Sequence, residues 1–443
     1  MKLKVIFLCL CAFIFAKDFS IEFTEYSKFG FNHSPIDYAK GTYPTESFGT
    51  IYSAINYNKM LDNGFSFGAS FAFGGLIFDD TKNNPDTKGG LAYKYVGYNS
   101  GFLGNIKATP SNTQNYFIKD LYFGYKNDSF SIQIGRFLLK STEWLTGRHA
   151  AIEMHYKKGI TDNYITVSEK KSSYGGKWLK TYRFINGTKM PAVIIGSKIT
   201  PKNFLIHTYL QFQLTRYIAP GIHLGYKKNI SQKLSSHTDF YILAPFHFQE
   251  GRNKLSSYDT GDAPIIGMID PKNPYLYGYQ GRKAGKGGVV LTLKQSFDIS
   301  SETMGEHNLG FQLYGTINNP NAFVGNNGNP IGIDAKDNTI YDRGTANNGL
   351  FDPDSFSAIF FWAKKGEKYT IKVLNRTTTS RRVFEESLSI GTTYNIAKNL
   401  NIGINLTIFE VYTHKNYKIY KTYLQHSRWD DRSFISTYIT HSF

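Results

Sequence analysis

The sequence predicts an all-β fold: a single transmembrane antiparallel β-barrel of eighteen strands, with sixteen as the fallback count. Three observations predict it. Hydrophobic residues recur at every second position in run after run, and no segment has a helical period. Short and long connections alternate between those runs, as they do around a membrane barrel. The last thirteen residues, Asp431 to Phe443, alternate and stop on an aromatic. A strand of that kind invites aggregation at an open edge, but not when it closes against a first strand.

The N-terminal segment fits export. Met1 to Lys4 is short and basic, Val5 to Phe15 is apolar, and Ala16 precedes the polar Lys17 and Asp18. Residues 1–16 read as a secretory signal peptide, too short to span a bilayer, and residues 17–443 as the barrel domain. Both cysteines, Cys9 and Cys11, fall in that leader. The exported chain then has no disulfide and needs a large core or a closed hydrogen-bonded sheet. No apolar run of eighteen residues follows Ala16, and the mean hydropathy is −0.35, which excludes a helical membrane protein. Yet the chain carries 35 Phe and 32 Tyr, the residues that collect at membrane interfaces. Hydrophobics spent on alternate positions reconcile the two facts. Without Lys2 and Lys4, 49 basic residues face 34 acidic ones, a net charge of +15. For an exported chain that balance points to lipid head groups, lipopolysaccharide or anionic solutes as partners, and not to nucleic acid.

The strands follow in order. Phe19, Ile21 and Phe23 open the series. Ile51–Tyr57 and Phe65–Phe73 form a hairpin around Leu61–Gly64, and Leu121–Tyr125 turns at 126–128 into Phe130–Ile134. Ile152–Tyr156 turns at 157–159 into a strand over Tyr164–Ser168. Val193–Ile199 turns at 201–203 into Phe204–Leu214; Ile222–Tyr226 leads to Thr238–Phe246, and Val289–Leu293 to Leu309–Leu313. Phe356–Lys364 turns at 365–366 into Tyr369–Val373, and Leu388–Tyr394 turns at 397–399 into Leu400–Ile408, before the terminal strand. Each run is about 8–12 residues, the length of a tilted strand crossing hydrocarbon. Short connections fall at 58–64, 126–128, 157–163, 200–203, 228–236, 298–307, 364–368 and 395–399. The others include long segments at 24–47, 74–115, 169–192, 247–287, 318–355 and 409–432. An even strand number puts both termini on the periplasmic side. The hidden faces are polar, with His207, Tyr209, Gln211 and Gln213 on one strand and Asn401, Asn405 and Thr407 on another. That speaks against a soluble sandwich and for a wet lumen.

The terminal strand resembles the C-terminal recognition strand of bacterial outer-membrane proteins, with His441 in place of a usual aromatic. The resemblance implies a contact with the barrel-assembly machinery through Phe443. Leu121–Tyr125 followed by Ser131–Arg136, a strand, turn and strand ending in Gly-Arg, resembles OprD-like porins. Trp144–Gly147 is similar to the Hof-type outer-membrane proteins of Helicobacter and Campylobacter. The resemblance implies a passive eighteen-stranded channel for small, often charged solutes, with arginines along one wall of the constriction. Phe137 stands where the family has Gln after Gly-Arg.

No chemistry of a catalytic kind stands out, and the expectation is of a protein that is not an enzyme and holds no cofactor. The eleven histidines show no metal-ligand spacing, so His207 and His223 read as polar groups of the wall. No G-x-S-x-G stands out as a candidate nucleophile. Asp334, Asp337, Asp342, Asp352 and Asp354 could bind Ca²⁺ from the 325–354 loop, but a Gly/Asn/Asp loop using its side chains for turns is the simpler reading. The basic residues are better candidates for selectivity, because fixed cations lower the barrier for anions. Lys368, Lys372 and Arg376 face inward if Tyr369, Ile371 and Val373 face lipid, and Arg381 and Arg382 begin the next strand beside them. Strict alternation points Arg136 outward, so it sits above the membrane band or follows a bulge. Arg148 belongs to the short third loop. The expected function is passive diffusion of small hydrophilic solutes, anionic or carboxylate-bearing. The alternative is an adhesin that uses loops 74–115, 247–287 and 318–355 on a barrel anchor.

Overall fold

The structure is a computed structural model. It describes residues 18–83, 92, 95–96, 115–139, 143–214, 216–248, 287–301, 305–318, 320–321, 323–325, 328, 332, 339–341, 349–415, 417–419 and 422–443. Eighteen antiparallel strands close into one barrel. They are β1 (Phe19–Gly30), β2 (Phe48–Met60), β3 (Phe65–Asp79), β4 (Tyr116–Lys126), β5 (Phe130–Leu139), β6 (Gly147–Lys158), β7 (Thr161–Gly175), β8 (Ala192–Ile199), β9 (Phe204–Gln213), β10 (Tyr217–Ser231), β11 (Leu234–Leu243), β12 (Gly288–Ser301), β13 (Gly305–Asn318), β14 (Phe356–Lys365), β15 (Tyr369–Thr379), β16 (Val383–Ala397), β17 (Leu400–Thr413) and β18 (Phe434–Ser442). Each pairs with the next, and β18 returns to β1 with Glu22 opposite Ser442 and Gly30 opposite Phe434. Beyond the ladder, the Phe443 amide donates to the Ile21 carbonyl at 2.9 Å.

The eight short turns lie where the sequence puts them, and glycines at positive φ make the tight ones, Gly64 at 86° and Gly159 at 58°. The opposite end carries the other nine connections, though three of these, 140–146, 214–216 and 380–382, are short as well. Strands are longer than expected: β3, β7, β10 and β16 have fifteen residues each. Several continue past the apolar band, where water and loop backbone can still complete a ladder. The segment 169–192 is accordingly less a loop than a hairpin, with Trp178–Phe184 paired to Lys170–Gly175 of β7.

Most strands expose an apolar face, as with Phe67, Phe71 and Phe73 on β3, Ile195 on β8 and Ile404 on β17. So much exposed hydrophobic surface belongs in lipid, not in water. Near the turn end, Phe19 packs on Tyr57, Phe65 on Tyr125 and Phe204 on Tyr226, with ring centroids 4.6, 4.9 and 4.6 Å apart. These outward pairs form an interfacial aromatic belt. The other face points inward and is mostly polar. Four of its tyrosines, Tyr122, Tyr164, Tyr209 and Tyr438, each lie over the glycine directly opposite: Gly68, Gly196, Gly221 and Gly403. A Cβ at any of those glycines would collide with the ring.

The lumen is not uniformly wet. The buried apolar residues form clusters where loops meet the inner wall. One cluster joins Phe137, Trp144, Leu145, Tyr217, Phe323 and Phe351; another joins Tyr43, Phe48, Tyr52, Tyr95, Leu179 and Tyr341. His207, Gln211 and Gln213, polar groups expected to meet water, are fully buried. Glu143 of 140–146, the third connection at the loop end, reaches His207, and the Tyr217 hydroxyl meets Gln211. Ile185, Asn186 and Met190 of the connection between β7 and β8 bond Gln213.

Candidate functional site

Polar inward residues of β15 to β18 border a cavity of about 500 Å³. Lys372, Arg376, Ser387, Ser389, Asn405, Thr407 and Ser436 contribute to its wall, and Gly176, Lys177 and Trp178 reach it from the hairpin that follows β7. The pleat puts them there, since Lys372 pairs with Gly391 and Arg376 with Ser387 across one inner face. Among the described residues, the charged groups lining it are Lys177, Lys372 and Arg376, all basic. Their charges are not equivalent. Arg376 is buried, and its Nη1 donates to Glu385 Oε2 at 2.6 Å and to Thr378 Oγ1 at 2.6 Å. Lys372 is exposed to the cavity and makes no ion pair among the described residues.

Above the cavity, carboxylates clasp the loops to the wall. Glu385 Oε1 accepts the Gly349 amide at 2.6 Å. Asp352 takes Arg382 in a bidentate grip, at 2.9 Å from Nε and 3.2 Å from Nη2, and also accepts from Ser380. Glu46 joins more elements than either. It accepts from Lys28 Nζ at 3.0 Å, Tyr95 OH at 2.8 Å, Thr339 Oγ1 at 2.5 Å and the Ile340 amide at 2.9 Å. Burial alone would raise its carboxyl pKa, but Lys28 and these donors prevail and hold it below the ordinary value.

The wall made by β6 to β10 is closed. Trp144 and Leu145, from the third connection, are fully buried, and Gly328 lies so near the Trp144 backbone that no Cβ would fit. Glu143 reaches the strands below. Its Oε1 lies 3.2 Å from His207 Nδ1 and 3.1 Å from His223 Nδ1. Across the rings, His207 Nε2 is 2.7 Å from the Tyr164 hydroxyl and His223 Nε2 is 2.9 Å from Asp239 Oδ1. Burial would raise the Glu143 carboxyl, and the two imidazoles hold it well below the usual carboxylate range. Ligand atoms of Glu143, His207 and His223 all lie within 4.8 Å of one another, the spacing of a metal-binding group.

The seven basic residues singled out from the sequence are scattered. Lys372 and Arg376 share the cavity. Lys368 lies in the turn ahead of β15, exposed, not in the strand. Arg381 and Arg382 form the connection before β16, not its start; Arg382 is buried on Asp352, while Arg381 is 72% exposed beside Asp354 at 2.6 Å. Arg148 is the second residue of β6, not part of the loop, and is paired with Asp120. Arg136 occupies a seam. Beyond Leu121–Arg136 the β4–β5 ladder stops, and its guanidinium donates to the Ile118 carbonyl at 3.3 Å and stacks 4.9 Å from the Tyr182 ring centre. Asp352 and Asp354 serve these arginines, and Asp334, Asp337 and Asp342 lie outside the described residues.

Sequence reasoning missed Glu143, which sits 64 and 80 residues from its histidines. It also missed the carboxylates Glu46 and Glu385, and it placed Asp352 in a turn or calcium loop and not on Arg382. Only the histidine pair had a signal: both fall on inner faces of neighbouring strands, where they are in register.

Residues 3–443 match the family model described as "Putative outer membrane protein". No curated protein sequence matches the chain. Among solved structures, OccAB4 of Acinetobacter baumannii superposes with a TM-score of 0.59 at 9% identity, covering 96% of this chain and 97% of that one. OprD of Pseudomonas aeruginosa gives 0.54 at 9% identity, with 97% and 96% covered. OpdK of the same organism, solved with vanillate, gives 0.55 at 7%, with 97% and 99% covered. At such identities the likeness is one of fold.

Proposed function

Since the chain belongs to this family of outer-membrane proteins, we propose that its barrel is a passive channel for small hydrophilic solutes, with a preference for anions and carboxylates. The observation that carries the reading is the cavity whose charged lining residues, among those described, are all basic, with the Lys372 ammonium in no ion pair among the described residues. A fixed cation on the wall of a narrow, partly dry passage lowers the barrier for an anion and raises it for a cation. Two unit charges about 4 Å apart at an effective dielectric of 20 interact by roughly 4 kcal/mol, and a third of that changes a permeability ratio about tenfold. Lys372 is the main source of that field. Arg376 contributes less, because Glu385 neutralises it. OpdK, whose structure holds vanillate, a carboxylate, offers the same fold to this chemistry. In the same reading residues 1–16 are removed on export, and the strand ending in Phe443 is presented to the barrel-assembly machinery.

Planar-bilayer recording of the full chain tests it. Unitary conductance steps are expected, with a reversal potential under a salt gradient on the anion side. Lys372→Glu should lower the anion/cation permeability ratio severalfold, and Arg376→Gln should lower it less. Insertion without steps would sink the channel and favour a barrel that only anchors its loops. Steps with cation preference would sink the anion assignment alone.

A further inference from the structure

We infer that Glu143, His207 and His223 form a binding site for a divalent transition-metal ion of the zinc type, which fastens the third connection to the wall at β9 and β10. Two imidazole nitrogens and a carboxylate converge on one point, the donor set of three-ligand zinc sites with an open fourth position. Ligand-to-ligand edges of a tetrahedral site with bonds of 2.0–2.1 Å are about 3.3–3.4 Å. The two Glu143 edges are 3.2 and 3.1 Å, and the edge between the imidazoles is within 4.8 Å, so that an ion would draw the two rings together.

Three features separate this cluster from a simple hydrogen-bonded latch. Both Nδ1 atoms aim at the same oxygen, Oε1, while Glu143 Oε2 is buried with no partner among the described residues. A latch would use both oxygens; an ion at the centre explains the convergence. Next, each histidine is oriented from behind. With a metal on Nδ1, the imidazole keeps its proton on Nε2, where the Tyr164 hydroxyl and the Asp239 carboxylate stand at 2.7 and 2.9 Å to accept it. Metal-ligating histidines are usually held in this way. Finally, the two histidines face each other on adjacent strands at the buried inner face, so little rearrangement is needed. The imidazoles select against Ca²⁺ and Mg²⁺, which prefer oxygen ligands throughout.

This inference does not depend on what the channel conducts. The test uses the folded full chain in detergent, dialysed against chelator and then titrated with Zn²⁺ and, separately, Co²⁺. One tight equivalent of Zn²⁺ is expected, and the Co²⁺ form should show the intense visible absorption of a tetrahedral site. Glu143→Gln and His223→Gln should each abolish the tight equivalent. Asp239→Asn, which touches no ion, should weaken it about 10–100-fold. Heat-modifiable gel mobility confirms that each variant is folded, and Glu143→Gln, in a connection, serves if a strand variant fails to fold. No tight equivalent in the wild type, or one that survives Glu143→Gln unchanged, overturns the site.

Discussion

The wall made by β15 to β18 and the wall made by β6 to β10 have the same pleat and the same polar inner face, but one borders a cavity and the other is sealed. Ser389 and Asn405 look into open space; Gln211 and Gln213 are fully buried. The strands do not differ in kind. The difference lies in what descends from the loop end. Over β6 to β10 the third loop-end connection brings Trp144 and Leu145, and the next one brings Ile185, Asn186 and Met190, which together cover the wall directly. Over β15 to β18 carboxylate clasps, Glu385 on Gly349 and Asp352 on Arg382, fasten the loop to the wall above the cavity, and the space beneath stays open. Strand sequence decides which residues face the lumen. Loop chemistry decides whether water reaches them.

The sharpest way to break that contrast is to remove a clasp. Glu385→Leu leaves the Arg376 guanidinium buried without its anion and the Gly349 amide without an acceptor. Orphaning a buried charge costs about 3–5 kcal/mol, and an orphaned amide about 1–3 more. A large drop in the urea midpoint of the folded barrel is expected. A change below about 1 kcal/mol would mean that water already solvates Arg376, and the clasp is not what holds the roof.

The sealed wall should respond to Trp144→Ala. Removing a fully buried tryptophan costs about 3–5 kcal/mol, here confined to the connection that carries it. The connection should then leave the lumen, with a higher unitary conductance and new protease cleavage between Leu139 and Gly147. Unchanged conductance would place the limiting constriction elsewhere.

Acid should act on the clasps before it acts on the sealed wall. The Glu46 carboxyl is held below its ordinary 4.5, so its ionised form is favoured in the folded state. Its stabilising contribution is therefore complete above about pH 4.5 and is lost as the pH falls through the lowered value. Lys28, Tyr95, Thr339 and Ile340 would then lose a common anion, freeing segments that belong to three different connections. Proteolysis of those loops should rise as the pH falls below the ordinary carboxylate range in the wild type and already be high at pH 7 in Glu46→Leu. Equal protection of the wild type at pH 7 and below that range would remove Glu46 from the clasp.

Much of this was legible in the sequence, within limits that have physical causes. Period-two patterning fixes the face of each residue, so the inward positions of His207, His223, Lys372 and Arg376 follow from their apolar neighbours. It does not fix where a strand ends. β7 runs on to Gly175 because its polar extension finds the Trp178–Phe184 segment as a partner, a pairing with no hydrophobic signal. Nor does alternation survive where two strands part, as β4 and β5 do above Arg136. Charge was harder still. Arg376 and Arg382 look like free cations in the sequence, and only the fold brings Glu385 and Asp352 against them. Glu143 lies on a connection with no periodicity at all, so its contact with two histidines is a property of tertiary structure alone.

The smallest effect sharpens the contrast between paired and exposed cations. Arg382 and Arg381 are neighbours, each beside an aspartate, but Arg382 is 1% exposed and Arg381 is 72% exposed. Water and salt screen the outer pair, and holding a long side chain in place costs entropy, so an exposed ion pair contributes about 0–1 kcal/mol. Arg381→Ala should leave the urea midpoint within that range, and any loss should vanish in 1 M salt, where screening falls to about 3 Å. The permeability ratio should also hardly change, since Asp354 and solvent already balance the charge at the rim. If Arg381→Ala instead reduced anion preference as strongly as Lys372→Glu, the rim would be steering solutes into the barrel. The selective element would then be the loop end and not the cavity wall.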